Sequence, residues 1–163
     1  MRPFLFACAV LAAAAATTCA AAQEPPPPAL KGAETCMRDN AGLAVQSSSG
    51  AADAAAFLVG YLCAGPVETA ALYDRNSATL RNLRLMLESS DEANEDADWM
   101  AGMVVDPVTG ELDLKSAKGE DAQSGLMAMQ MLSGMGIFGG RSGNEAPAFI
   151  RETAARFVME HRR

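Results

Sequence analysis

The residues best suited to chemistry in this chain are sulfur-bearing. Met127, Met129 and Met131 form a Met-x-Met-x-Met run, and Met135 follows. Thioether clusters suit soft ions such as Cu(I). At helical spacing, Met127, Met131 and Met135 share one face, while Met129 points away. Three sulfurs on that face could hold copper. The plainer reading is a pliable apolar face, packed in the core or against a partner. No His or Cys lies nearby to strengthen a metal site, so the expectation is no metal and no cofactor.

Four cysteines are present: Cys8, Cys19, Cys36 and Cys63. The first two fall in a segment with the grammar of an export signal. Arg2 precedes an unbroken apolar run from Phe4 to Ala16, too short to span a membrane. Ala20 and Ala22 give a small-x-small cleavage pattern, so residues 1–22 read as a signal peptide cut before Gln23. Ala16-Thr17-Thr18-Cys19 has the outline of a lipoprotein box, with Thr where a smaller residue is preferred. Acylation at Cys19 is the only route by which the reading meets a membrane. Either route leaves Cys36 and Cys63, which in an oxidising compartment most simply pair. Two buried free thiols are the rival arrangement. The absence of a Cys-x-x-Cys pair argues against a redox motif.

Other patterns resemble sites only in part. Asp91, Glu92, Glu95, Asp96 and Asp98 form an acidic run ending at Trp99. Asn94, Asp96 and Asp98 mimic the start of an EF-hand loop, but Trp99 stands where Gly is required and Val105 where Glu is. A loose calcium site or a solvated acidic loop remains. Gly134-Met135-Gly136-Ile137-Phe138-Gly139 matches the dinucleotide fingerprint literally. It follows a helix rather than a strand and has no βαβ unit around it, so it reads as a hinge loop. The single histidine, His161, lies near the end of the chain, where fraying is the default. No nucleophile–histidine pair can be assembled, and the chain is not read as an enzyme.

The elements that must position these residues are mostly helical. Residues 23–32 form a Pro-rich leader expected to be disordered, and residues 33–163 a single domain. Helices are expected over about 33–45, 51–64 and 66–73, the last two separated by Gly65-Pro66. Asn76 or Ser77 is expected to cap the next, with Leu80, Leu83 and Leu87 as its apolar stripe and Arg81 and Arg84 off it. Met103-Val104-Val105 and Leu112-Asp113-Leu114 flank a turn containing Pro107 and Gly110, which predicts a β-hairpin near residues 103–114. A hairpin alone is marginal and must pack on helices or on a partner. A very apolar helix covers about 120–135. A final helix, capped by Asn144 with Pro147 in its first turn, presents Ile150, Ala154, Phe157 and Val158 to the core, and places Glu152 four residues before Arg156 as an ion pair. The expected fold is mainly α: a small bundle of four to six helices with one hairpin.

The net charge is −7, and loss of Arg2 with the signal makes it one unit more negative. That balance repels nucleic acid and anionic lipid and suits a basic partner. The sequence therefore predicts a periplasmic or secreted accessory protein of a bacterial cell envelope, binding another protein. Its contact residues are expected to be Trp99 or the face of Met127, Met131 and Met135. The alternatives are an inhibitor or immunity-type protein that neutralises a basic enzyme, and a Cu(I) binder.

Overall fold

The computed structural model describes residues 25–89, 100, 102–115, 120–138 and 146–163. Residues 1–22, with the sequence pattern of a signal peptide, Cys19 among them, the acidic run with Trp99, and Asn144 lie outside the described residues. Those described form five helices and one antiparallel hairpin: α1 (Pro28–Gln46), α2 (Ala51–Phe57), α3 (Ala64–Glu88), β1 (Met103–Val105), β2 (Leu112–Leu114), α4 (Glu120–Gly134) and α5 (Ala148–His161). The molecule is a small helical bundle carrying a two-stranded ribbon.

The first helix begins earlier than its composition suggests. Pro28 is its first residue, so residues 28–32 of the supposed disordered leader are helical. A proline at this position loses no intrahelical hydrogen bond, and its fixed φ suits a helix start. Two contacts then hold the turn in place. Ala29 and Ala33 are buried, and the Ala29 N–H donates to Pro107 O of the hairpin turn at 2.8 Å.

Between α2 and α3 the chain winds through a π-helical turn, Leu58–Leu62. The Cys63 N–H donates to Leu58 O at 2.9 Å, five residues back. The wide turn accommodates an extra residue. It brings Cys63 to the buried side with Leu58 and turns Tyr61 out to 73% exposure. Regular helical spacing from Ala54 and Leu58 would place Tyr61 on the core face, and the π turn overrides it. Tyr61 instead stacks on Phe57, with ring centroids 5.2 Å apart.

The expected break near Asn76 does not occur. Gly65 and Pro66 fall in the first turn of α3, where proline is tolerated, and the helix then runs 25 residues without interruption. The segment Ala51–Leu62, which is α2 with the π turn, meets α3 at 84°. No single helix among the described residues is long and apolar enough to cross a membrane.

Two apolar clusters form the interior. The larger joins α1, α2, the π turn, the first half of α3 and α5, around Met37, Leu58, Cys63, Ile150, Phe157 and Val158. The expected core face of α5, Ile150, Ala154, Phe157 and Val158, is buried throughout. Arg38 and Arg156 lie over the Phe157 ring at 5.3 and 5.0 Å. The ring contact thus takes the place of the expected Glu152–Arg156 pair. Pro147 caps α5 from outside its first turn, because the helix starts at Ala148. His161 is helical rather than frayed: its Nδ1 lies 2.9 Å from Phe157 O, and its ring packs at Gly42 of α1.

The smaller cluster contains Leu80, Met100, Met103 and Phe138. Leu83 and Leu87 of α3, Leu112 and Leu114 of β2, and Met129 and Leu132 of α4 pack around it. The hairpin is therefore supported by helices on the described surface, as its short strands require. Its strands pair Met103 with Leu114 and Val105 with Leu112.

Candidate functional site

The methionine helix, α4, carries large apolar side chains on both its inner and its outer side. Ala128, Met129 and Leu132 pack inward on the smaller cluster. Met127, Met131 and Met135 face solvent, at 64%, 69% and 59% exposure. The three are spaced one turn apart, so they form a single ridge about 12 Å long between the outer Cα atoms. Leu126 and Ile137 are exposed as well. The division between Met129 and the other three follows the helical periodicity read from the sequence.

On the inner side of α4 an open cleft of about 480 Å³ separates it from α3 and the hairpin. Leu72, Asn76, Glu111, Leu112, Met129, Ser133 and Phe138 line it. Its polar groups are few and already engaged in part. Asn76 is 1% exposed, and its Nδ2 donates to Gly110 O at 2.8 Å. Sequence reasoning placed Asn76 at a helix cap and so missed this role. Nothing in local sequence distinguishes a capping asparagine from one that reaches a carbonyl 34 residues away.

The turn that Asn76 grips is tightly built. Asp106 Oδ1 accepts from the Val108 and Thr109 N–H groups at 2.7 and 3.0 Å. Those two bonds, Thr109's first, hold the Asp106 carboxyl below its ordinary range, with a smaller assist from Lys115 against a slight opposing effect of burial. Gly110 has φ +75°, and a Cβ there would stand 2.7 Å from Tyr73 N and 2.8 Å from Thr69 O. Only glycine combines that dihedral with so close an approach to the α3 backbone. On the other side, the Arg84 guanidinium donates to Met103 O at 2.7 Å. Arg84 lies off the leucine stripe, as expected, and clamps the strand from there.

Cys36 and Cys63 are joined in a disulfide with a Cα–Cα distance of 5.9 Å, which ties the middle of α1 to the end of the π turn. Such a bond fits an oxidising, extracytoplasmic location. No group of three or more His, Cys, Asp or Glu side chains is placed to hold a metal ion among the described residues. The methionine ridge and the cleft lie on opposite sides of α4, the disulfide joins α1 to the end of the π turn, and the three do not converge on one centre. Trp99, the other expected contact residue, lies outside the described residues.

Comparison with protein-family models, with curated proteins and with solved structures returns no match to this chain.

Proposed function

We propose that this chain is an exported, non-enzymatic interaction protein of the cell envelope, periplasmic or secreted, and that it binds another protein through the outer face of α4. The observation that carries the reading is the ridge of Met127, Met131 and Met135, three large apolar side chains left in water on a helix whose other side is already packed. Methionine is flexible and polarisable, which suits a contact surface that must adapt to its partner. The disulfide and the signal-like start of the chain support the compartment.

The test is a triple substitution of Met127, Met131 and Met135 by Gln, followed by cross-linking in the native cells. Because the three side chains are exposed, the variant should unfold within about 0.5 kcal/mol per site of the natural protein. It should also lose one discrete cross-linked partner. A variant equally stable that keeps every cross-link would end the reading.

The same three exposed thioethers make Cu(I) binding the second reading. Titration of the purified protein with Cu(I) under anaerobic conditions separates the two. Retention of copper that is lost when the three residues become Leu supports the metal, and no retention by the natural protein excludes it.

A further inference from the structure

The two ends of the disulfide are unequal, and the inequality gives the bond a direction. Cys63 is 0% exposed and lies in the larger core cluster, whereas Cys36 is only half-buried at its edge. Thiol–disulfide exchange proceeds by attack of a thiolate on one sulfur, with the other sulfur leaving, and access decides which sulfur is attacked. Cys63 is sealed within the cluster, so of the two bridged residues Cys36 is the one with surface open to an external thiolate.

We infer that Cys36 Sγ is an exchange site, at which an external dithiol forms a mixed disulfide and expels Cys63 as the leaving thiolate. The incoming thiolate supplies the electron pair of the new S–S bond to Cys36. The Cys36–Cys63 bond breaks, and its pair departs on Cys63 Sγ. The donor's second thiolate then attacks the donor sulfur of the mixed disulfide, Cys36 leaves as a thiolate, and the donor is left as a disulfide. Two electrons pass from the dithiol to this protein, and the two cysteines finish as thiols after taking up protons.

Both leaving groups have local support. Cys63 is the N-cap residue of α3, where the unpaired N–H groups and the dipole of a 25-residue helix favour negative charge. Burial works against that charge, and the helix end acts in the opposite sense. At the other sulfur, Asn40 Nδ2 lies 3.6 Å from Cys36 Sγ while donating to Cys36 O at 2.8 Å. An amide N–H is thus in reach of the sulfur that leaves in the second step.

The experiment uses the native, oxidised protein and glutathione as a monothiol probe, with acid quenching, alkylation of free thiols by N-ethylmaleimide and tryptic mass spectrometry. The two cysteines fall in separate peptides, residues 32–38 and 39–75. Glutathione is expected on the 32–38 peptide, in about tenfold or greater excess over the 39–75 peptide, with maleimide on Cys63. Dithiothreitol in the same buffer is expected to carry the reaction through to two free thiols. Glutathione on Cys63, or equally on both peptides, overturns the assignment. So does a bond that neither reagent opens until urea unfolds the protein.

Discussion

At the scale of single residues, Gly110 and Asn76 lock the hairpin to α3. The Gly110 carbonyl takes the Asn76 amide, and its missing side chain lets the turn rest against the helix backbone. Gly110→Ala meets both a left-handed backbone and two backbone atoms closer than van der Waals contact. It should cost about 2–4 kcal/mol, read as a lowered urea midpoint. A loss under 0.5 kcal/mol, the scale of an ordinary surface change, would show that the turn does not rest there. Asp106 sets an acid limit on the same turn. Its carboxyl titrates lower in the folded chain than the unfolded value of about 3.9. Its contribution is therefore fully present above that value and is lost as pH falls through the lower, folded one. Asp106→Asn should flatten the decline in stability below about pH 4, measured by urea unfolding at a series of pH values. An unchanged acid limb would remove Asp106 as its source. Both residues sit in a stretch whose turn chemistry is visible in sequence. Gly110 follows Asp-Pro-Val-Thr as a turn glycine should. Its partner on α3 was not visible, because the interaction spans 34 residues.

The elements show where periodicity succeeds and where it stops. The hairpin strands, the leucine stripe of α3 and the core face of α5 fall where alternation and helical spacing place them. Each has one face committed to an interior, and that commitment is written in its own residues. The π turn is different. A hydrogen bond five residues back shifts the register of everything after it, and no local pattern in Leu58–Leu62 announces the shift. Its reward is tertiary: Cys63 reaches Cys36, and α3 leaves at a steep angle. Continuity of α3 past Asn76 has the same character. A residue with good capping chemistry is held inside a helix because the hairpin supplies its side chain with a buried acceptor.

On the scale of the whole molecule, the disulfide closes the larger cluster while the hairpin organises the smaller one. The bridged residues are 27 apart in sequence. Closing a loop of that length should stabilise by roughly 3–4 kcal/mol through the unfolded chain. A Cys36→Ser, Cys63→Ser double variant should therefore show a urea midpoint lower by that free energy, with fluorescence and circular dichroism still reporting a cooperative transition. A difference under 1 kcal/mol would mean that packing of α1 on α3 and α5 holds these elements without the bond. The methionine ridge lies on α4, in the part of the fold organised by the other cluster, so the partner binding proposed for it should survive the double variant.

What the sequence by itself determined was the kind of molecule. It specified a mainly helical bundle, one hairpin at 103–114, a cysteine pair, and a helix with methionines on both sides. All of these depend on residue type and short-range spacing, which a chain carries whether folded or not. The tertiary structure alone decided that Pro28 opens a helix, that a π turn delivers Cys63 to Cys36, that Asn76 grips Gly110, and which of the two methionine faces of α4 turns to the smaller cluster. These outcomes turn on contacts between distant segments, and the free energy of such contacts exists only once the segments meet.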